Sequence, residues 1–330
     1  MKLQISYSKY NSFKQCPLKY AHQYIFKTKV QEEKSYPLIL GQLTHLFIQL
    51  YNDEVYTKKQ IREIKDNLEV LYELIDLQYP AFYNNNYQIN HIDIRKSTDE
   101  IISFIKENEV VFFHALKLFN IYQERFFPKI NQSSNFLSET TFNNIIKIND
   151  ELTCCFYGSI DLLFYTLNNN DMQYLYISDF KTGKKLYDNY FEQLFFYYYN
   201  LVNYNFEIGT KIKNNTDNID VLKMISTKLT NDKVHLLLFN LREGEHKKIL
   251  LTESYNQYEK YMNDFFNIVE NDIYVLHKDK EFLSFLDIYE KYNNKYKLVN
   301  IENCNKNQLG FICNYCKFKD ECSYRLIERE

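Results

Sequence analysis

The chain has 330 residues, of which 45% are hydrophobic and 25% charged, and its net charge is −3. These values exclude a chain that is basic throughout, although seven lysines against two glutamates in the first 34 residues leave room for a local basic face. No apolar run approaches the ~18 residues of a membrane-spanning helix, and the N-terminus lacks the apolar core of a signal peptide. We therefore expect a cytoplasmic protein without a membrane partner. Abundant Tyr, Phe, Asn, Ile and Lys without Trp is typical of AT-rich coding, which favours a bacterial or phage-infected cell.

The first 127 residues have mostly helical apolar spacing. Ser6 is a suitable N-cap and Pro17 suits the first turn of a helix, so two short helices that meet at Cys16-Pro17 are predicted over residues 6–28. Further helical segments are predicted at residues 41–51 and 57–127, the second interrupted by a loop near Pro80.

The pattern changes near Pro128 to short runs rich in β-branched and aromatic residues. Three consecutive, mostly antiparallel strands are predicted, followed by a helix, two strands joined by a tight turn, a second helix and a polar, cysteine-bearing tail. This order predicts an α/β core with added helical segments. The predicted bounds are 136–148, 152–165 and 173–181 for the three strands, 188–203 for the helix, 219–229 and 233–241 for the next strands, 252–276 for the last helix, and 302 for the start of the tail.

A carboxylate and a lysine stand at the end of the third predicted strand. Because side chains alternate along a strand, Asp179 and Lys181 point to one side and Phe180 to the other. Such a pair before a glycine turn suits a divalent cation and a phosphate. The same acid-x-lysine spacing occurs at residues 32–34, 63–65 and 245–247, where no strand is predicted to end, so the pattern alone is weak.

Other candidate residues precede and follow this strand. Asp161 lies in an apolar strand, where a carboxylate is costly to bury unless it is paired or binds a cation. An edge aspartate that faces solvent is the structural alternative. Since its strand and that of Asp179 are predicted hairpin neighbours, the two carboxylates could share Mg²⁺ or Mn²⁺. His45 follows Gly41 by four residues, and Tyr197 follows Gln193 by four. This spacing puts each pair on one face of a helix, where a side chain usually serves only core packing.

Taken in order, Gly41-x-x-x-His45, Gly158-x-x-Asp161, Asp179-x-Lys181 and Gln193-x-x-x-Tyr197 resemble the successive motifs of RecB-type nucleases in the PD-(D/E)XK superfamily. The resemblance runs from about residue 6 to 325, although 46–130 matches only in helical character. The proline-aspartate of the superfamily name is replaced by Ser159-Ile160-Asp161. The resemblance implies a restriction-endonuclease-like α/β fold, a mixed central sheet flanked by helices. It divides one integrated domain into N-terminal helices (1–45), a helical insertion (46–130), the nuclease core (131–300) and a cysteine segment (301–330).

The resemblance also implies an activity, the hydrolysis of DNA phosphodiester bonds. His45, Asp161, Asp179 and the carbonyl of Phe180 would bind Mg²⁺ or Mn²⁺. Lys181 would orient or deprotonate the attacking water and offset transition-state charge, while Gln193 and Tyr197 would position the strand or support the site. No Gly-x-x-x-x-Gly-Lys-Ser/Thr motif for ATP-driven unwinding occurs. We therefore expect an exonuclease that acts on single-stranded DNA or free ends, or with a helicase partner, in recombination, repair or phage DNA metabolism.

Four cysteines resemble the ligands of the iron–sulfur branch of this family, similar to AddB and the CRISPR-adaptation nucleases. Cys313-x-x-Cys316-x5-Cys322 lies in the tail and Cys16 near the N-terminus. The resemblance implies a 4Fe-4S cluster that staples the two ends of the chain together, and four thiolates suit such a cluster. Tetrahedral zinc remains the alternative, and Cys304 could replace one ligand.

Two other functions stay open at this point. One is a catalytically inactive nuclease-fold protein that binds DNA or assists a helicase, against which the intact set of His45, Asp161, Asp179 and Lys181 argues. The other is a zinc-stabilised interaction module in which the Asp-x-Lys spacing is fortuitous.

Overall fold

The computed structural model describes residues 1–29, 36–54, 57–63, 98–131, 135–168, 171–203, 230–281, 283–284, 287–288, 291–292 and 316–318. Nine α-helices fall in these ranges. They are α1 (Tyr7–Gln15), α2 (Pro17–Tyr20), α3 (Tyr36–Asn52), α4 (Lys58–Glu63), α5 (Thr98–Ile121), α6 (Phe127–Asn131), α7 (Phe191–Val202), α8 (Tyr255–Ile268) and α9 (Tyr274–Lys278). Within the described part of the chain, no helix combines the length and apolarity needed to cross a membrane.

The two short helices predicted at the N-terminus are confirmed, and their caps explain where they begin. The Ser6 hydroxyl accepts a hydrogen bond from the Lys9 N–H at 3.2 Å at the start of α1. Cys16 ends α1 and caps α2, with its Sγ 3.4 Å from the Lys19 nitrogen, and Pro17 occupies the first turn. A capping box begins α4, since Thr57 and Gln60 exchange side-chain to backbone hydrogen bonds.

Six strands of the described residues form one mixed sheet, and the family resemblance implies such a sheet for the core. They are β1 (Lys2–Ile5), β2 (Asn135–Lys147), β3 (Thr153–Asn168), β4 (Asp171–Lys181), β5 (Val234–Asn240) and β6 (Glu245–Leu250). The order is β1-β3-β4-β5-β6, with β2 also paired to β3. Strands β1 and β3 run parallel, as do β4 and β5, and the remaining pairs are antiparallel.

The sequence-based strand assignment lacks two strands of this sheet. Strands β1 and β6 were not predicted, and no strand was expected around Glu245, where β6 begins. The strand predicted at residues 219–229 lies outside the described residues. The last predicted helix is divided by a π-helical turn, Val269–Ile273, into α8 and α9.

The sheet is flanked by helices on both faces. On one face α1, α7 and α8 pack against a core that includes Leu175 and Ile177 of β4. On the other face α3 and α5 enclose a second core that contains Phe180, whose ring lies 5.4 Å from that of Tyr122 and 5.5 Å from that of Phe239. Phe180 therefore faces the α3–α5 core, as strand alternation predicts, and anchors the end of β4.

Candidate metal and catalytic centre

Three carboxylates meet where β2, β3 and β4 lie side by side. In the β2–β3 register Ser138 pairs with Leu162 and Thr140 with Ile160, so that Glu139 lies opposite Asp161. The β3–β4 pairing ends at Leu162 and Ser178, and the next position on each strand is Asp161 and Asp179. Facing side chains on neighbouring strands are only about 5 Å apart at Cβ, so the carboxylates crowd together.

Glu139 has an unusual backbone conformation. Its φ is 45°, in the left-handed region that residues other than glycine rarely adopt. The regular ladder between β2 and β3 is interrupted at this residue. The Ser159 hydroxyl donates a hydrogen bond to Glu139 Oε2 at 2.7 Å and fixes the carboxylate. Strained backbone of this kind concentrates at functional sites.

His45 reaches the carboxylates from α3. Its Nδ1 lies 3.4 Å from Asp161 Oδ1 and 3.9 Å from Glu139 Oε1, while its Nε2 donates a hydrogen bond to the Phe180 carbonyl at 3.1 Å. The Phe180 N–H in turn donates to Asp161 Oδ2 at 2.7 Å. His45, Glu139 and Asp161 each offer one ligand atom, and these three atoms lie within 4.8 Å of one another. A single cation can bridge this spacing.

The charges of this group shift one another's pKa values. Burial and the charge of Asp161 raise the pKa of Glu139 to about 7 and that of Asp179 to about 6. Burial opposes ionisation of Asp161 as well, but the attraction of His45 outweighs it and lowers the pKa of Asp161. Burial alone would lower the pKa of His45, yet the negative charge of Asp161 and Glu139 raises it to about 9. The site therefore holds more negative charge than its own residues neutralise.

Lys181 lies beside the carboxylates at the end of β4. Its Nζ lies 2.6 Å from Oδ2 of the buried Asp179, so the two side chains form a close ion pair. The same ammonium donates to Gln193 Oε1 at 3.0 Å and lies 4.9 Å from the centre of the Tyr190 ring. Burial opposes the charge of Lys181, but the attraction of Asp179 exceeds it and raises the pKa of Lys181. The lysine thus stays protonated at neutral pH.

Gln193 and Tyr197 extend this contact along α7. The Gln193 amide donates to the Tyr197 hydroxyl at 2.5 Å, and Tyr197 is buried. A Cβ at Gly158 would lie 2.8 Å from Phe142 Cζ and 3.4 Å from Tyr197 Cε1, so this glycine makes room for the two rings. The glycines at 41 and 183 show no such restriction, because a Cβ there would meet only ordinary contacts.

The structure thus brings His45, Asp161, Asp179, Lys181, Gln193 and Tyr197 into one chain of contacts. Glu139 is the site residue that sequence analysis missed. A signal was available, because Glu139 and Asp161 each lie eleven residues from Asp150 at the β2–β3 turn. Two residues at the same number of positions before and after a hairpin turn lie opposite each other in the sheet.

The cysteines divide into two groups. Cys154 and Cys155 are buried in β3, and burial raises the pKa of Cys154 to about 12. Cys16 and Cys316 are half-buried, whereas Cys313, Cys322 and Cys304 lie outside the described residues. Phe318, two residues after Cys316, stacks on His22 with ring centres 5.0 Å apart and planes at 11°. The C-terminal segment at 316–318 therefore lies against the N-terminal helices.

Two comparisons with known proteins bear on this site. The family model described as the PD-(D/E)XK nuclease superfamily matches residues 4–323, nearly the whole chain. A search of curated proteins finds no match to the chain.

Proposed function

This chain belongs to the PD-(D/E)XK nuclease superfamily, and on that premise we propose that it is a metal-dependent deoxyribonuclease. The observation that carries the proposal is the group of His45, Glu139 and Asp161, whose ligand atoms lie within 4.8 Å of one another. This group adjoins Asp179 and Lys181 at the end of β4. The mixed sheet flanked by helices fits the restriction-endonuclease-like core of the family.

The residues present fit Mg²⁺ or Mn²⁺. Carboxylate oxygens are the preferred ligands of both ions, and Mn²⁺ also accepts imidazole. The crowded carboxylates of Glu139, Asp161 and Asp179 gain from a positive charge between them. We assign His45 Nδ1, Glu139 and Asp161 as ligands and Asp179 and the Phe180 carbonyl as further ligands. When bound, such an ion polarises a phosphoryl oxygen and makes water more acidic.

Lys181 supplies the positive charge that the chain itself places beside the reacting phosphate. Because its pKa is raised, Lys181 is an ammonium that stabilises developing negative charge and orients the attacking water. This role is favoured over that of a general base. Gln193 holds the ammonium through Oε1 and is itself held by Tyr197. In this proposal Gln193 and Tyr197 position Lys181.

The proposed substrate is DNA that is single-stranded or has free ends. The absence of a nucleotide-triphosphate-binding motif from the sequence supports a substrate that is already unwound, by its origin or by a helicase partner. Exonuclease action in repair, recombination or phage DNA metabolism is part of the same proposal.

We also propose that Cys16, Cys313, Cys316 and Cys322 hold a 4Fe-4S cluster. The contact between His22 and Phe318 supports this arrangement, because it brings the segment of Cys316 to the N-terminal helices that carry Cys16. Zinc would fit four thiolates as well. Iron and zinc analysis of the purified protein distinguishes the two ions, and iron absent from anaerobically purified protein would overturn the cluster.

The experiment that tests the nuclease proposal is incubation with end-labelled single- and double-stranded DNA in Mn²⁺ and in EDTA. The expected result is degradation in Mn²⁺ alone, faster for the single strand, and lost in Asp179→Ala. Equal degradation by the wild type and Asp179→Ala would show that a contaminating nuclease or another site is responsible. A DNA-binding protein without nuclease activity would bind the labelled DNA and leave it uncleaved.

A further inference from the structure

An open groove of about 350 Å³ lies beside the end of β4, next to the candidate centre. We call it the α3–β4 groove. Its wall is mixed, with an aromatic ring, a proline and a leucine on one side and two basic side chains on the other. The lining residues are Tyr36, Pro37 and Leu40 of α3, Thr182, Gly183 and Lys184 after β4, and Arg242 after β5.

The groove continues directly from the metal group along α3. His45 contacts the Phe180 carbonyl, and a Cβ at Gly41 would lie 3.7 Å from Thr182 Oγ1. Helix α3 therefore runs alongside the residues that follow β4. Gly41 precedes His45 by four residues, which rise about 6 Å along a helix. The groove therefore begins about one helical turn from His45.

Buried Asn240 fixes the two basic residues relative to the catalytic strand. Its Oδ1 accepts hydrogen bonds from the backbone N–H groups of Arg242 at 3.0 Å and Glu243 at 3.2 Å, and its amide donates to the Lys184 carbonyl at 3.4 Å. The N–H that follows Asn240, that of Leu241, donates to the Lys181 carbonyl at 2.9 Å. The backbone that carries Lys184 and Arg242 is thus tied to the strand end that carries Lys181.

We infer that the α3–β4 groove binds the stretch of single-stranded DNA next to the cleaved phosphate, an inference that rests on the proposed nuclease function. Lys184 and Arg242 are exposed cations that would contact the phosphates. Tyr36 is 38% exposed, and its ring packs edge-on against that of His114 of α5 at 5.9 Å, which holds it in place for an unpaired base. A cationic wall facing an apolar wall matches the phosphates and bases of one strand.

The test measures DNA binding apart from cleavage. A short fluorescein-labelled oligothymidylate is titrated by anisotropy in Ca²⁺, with the wild type, Lys184→Gln/Arg242→Gln and a matched control, Lys147→Gln/Lys278→Gln. The control also removes two exposed cations, each paired with an acid near the β2–β3 turn. Lys147 lies opposite Thr153 in the β2–β3 register. Thr153 precedes Asp161 by eight residues on β3, which places Lys147 about 27 Å from the candidate centre.

Each phosphate contact contributes ~0.7 to the slope of log affinity against log salt for a single strand. The Lys184/Arg242 variant should therefore show a slope shallower by about 1.4 and an affinity about 25-fold lower at ~0.1 M salt, with the control unchanged. Tyr36→Ala should weaken binding about fivefold or more, while Tyr36→Phe keeps it, because the stacking face is retained.

Failure of this inference and failure of the nuclease proposal give different results. If the wild type cleaves DNA in Mn²⁺ but both double variants bind oligothymidylate like the wild type, the groove is not the binding site and the nuclease proposal stands. If the wild type binds but does not cleave, and the Lys184/Arg242 variant binds more weakly, the groove stands and the nuclease proposal fails. An equal loss in the control would overturn the groove, because the effect would then come from overall charge.

Discussion

Replacing Glu139 by glutamine is expected to stabilise the metal-free protein and to slow DNA cleavage at the same time. Burial and the neighbouring charge of Asp161 raise the pKa of Glu139 from 4.5 to about 7. At 1.36 kcal/mol per pKa unit, ionised Glu139 costs the folded protein about 3 kcal/mol. Glutamine has the same shape, can still accept the hydrogen bond from Ser159 and carries no charge.

The sign of the pH dependence follows from the raised pKa. Since the pKa of Glu139 is higher in the folded than in the unfolded chain, its cost appears as the pH rises above about 4.5 and is complete above about 7. In EDTA at pH ~8, urea unfolding should therefore give Glu139→Gln a free energy of unfolding up to about 3 kcal/mol above that of the wild type. At pH ~5 the gain should be much smaller.

Activity should change in the opposite direction. Loss of Glu139 as a proposed metal ligand is expected to reduce cleavage in Mn²⁺ about 100-fold or more, since even residues that only support ligands cost 10–100-fold. The control is Glu151→Gln. Glu151 is an exposed glutamate at the β2–β3 turn, at the other end of the sheet from Glu139, and it forms an ion pair with Lys278 at 3.0 Å. This variant should change neither property much. A Glu139→Gln variant no more stable than the wild type in EDTA would refute the charge-crowding argument.

Three further variants test other parts of the account. Lys181→Gln should lower single-turnover cleavage about 100-fold or more, because it removes the charge that offsets the transition state; wild-type rates would exclude that role. Gly158→Ala places a methyl group 2.8 Å from Phe142 Cζ and 3.4 Å from Tyr197 Cε1. It should cost ~1–3 kcal/mol in urea unfolding and slow cleavage, whereas unchanged values would mean that the rings move freely. Cys16→Ala should lower the iron content and melting temperature of the protein, and unchanged iron would contradict the proposed cluster.

The sequence predicts the centre of the sheet because local patterns carry that information. Strands β3 and β4 are rich in apolar and aromatic residues, and the alternation of β4 places Phe180 opposite Asp179 and Lys181. The two strands that sequence analysis did not predict give weaker signals, since the polar–apolar alternation of β1 is short. Strand β1 has four residues and pairs with β3 about 150 positions away, which no local window reveals. Strand β6 is largely exposed and charged, as edge strands often are, so it has no apolar alternation to detect.

The candidate site was predictable where spacing along the chain reflects contact in space. The spacing of Gln193 and Tyr197 on one helix turn corresponds to the observed hydrogen bond between them. The place of Glu139 depends on the β2–β3 register and on a left-handed backbone conformation. Counting from the β2–β3 turn gives the register, but a glutamate in a long strand gives no sign of the left-handed conformation, so the third carboxylate is predictable only in part.

The most direct test of the central claim is single-turnover hydrolysis of end-labelled single-stranded DNA across a Mn²⁺ titration, by the wild type and by Asp161→Asn. Asparagine retains an acceptor for the Phe180 N–H but removes the charge that faces His45. If the proposed metal site is responsible for cleavage, the wild type cleaves only when Mn²⁺ is present, and Asp161→Asn is at least about 100-fold slower even at high Mn²⁺. Cleavage by the wild type in EDTA, or equal rates for the two proteins, would contradict this claim.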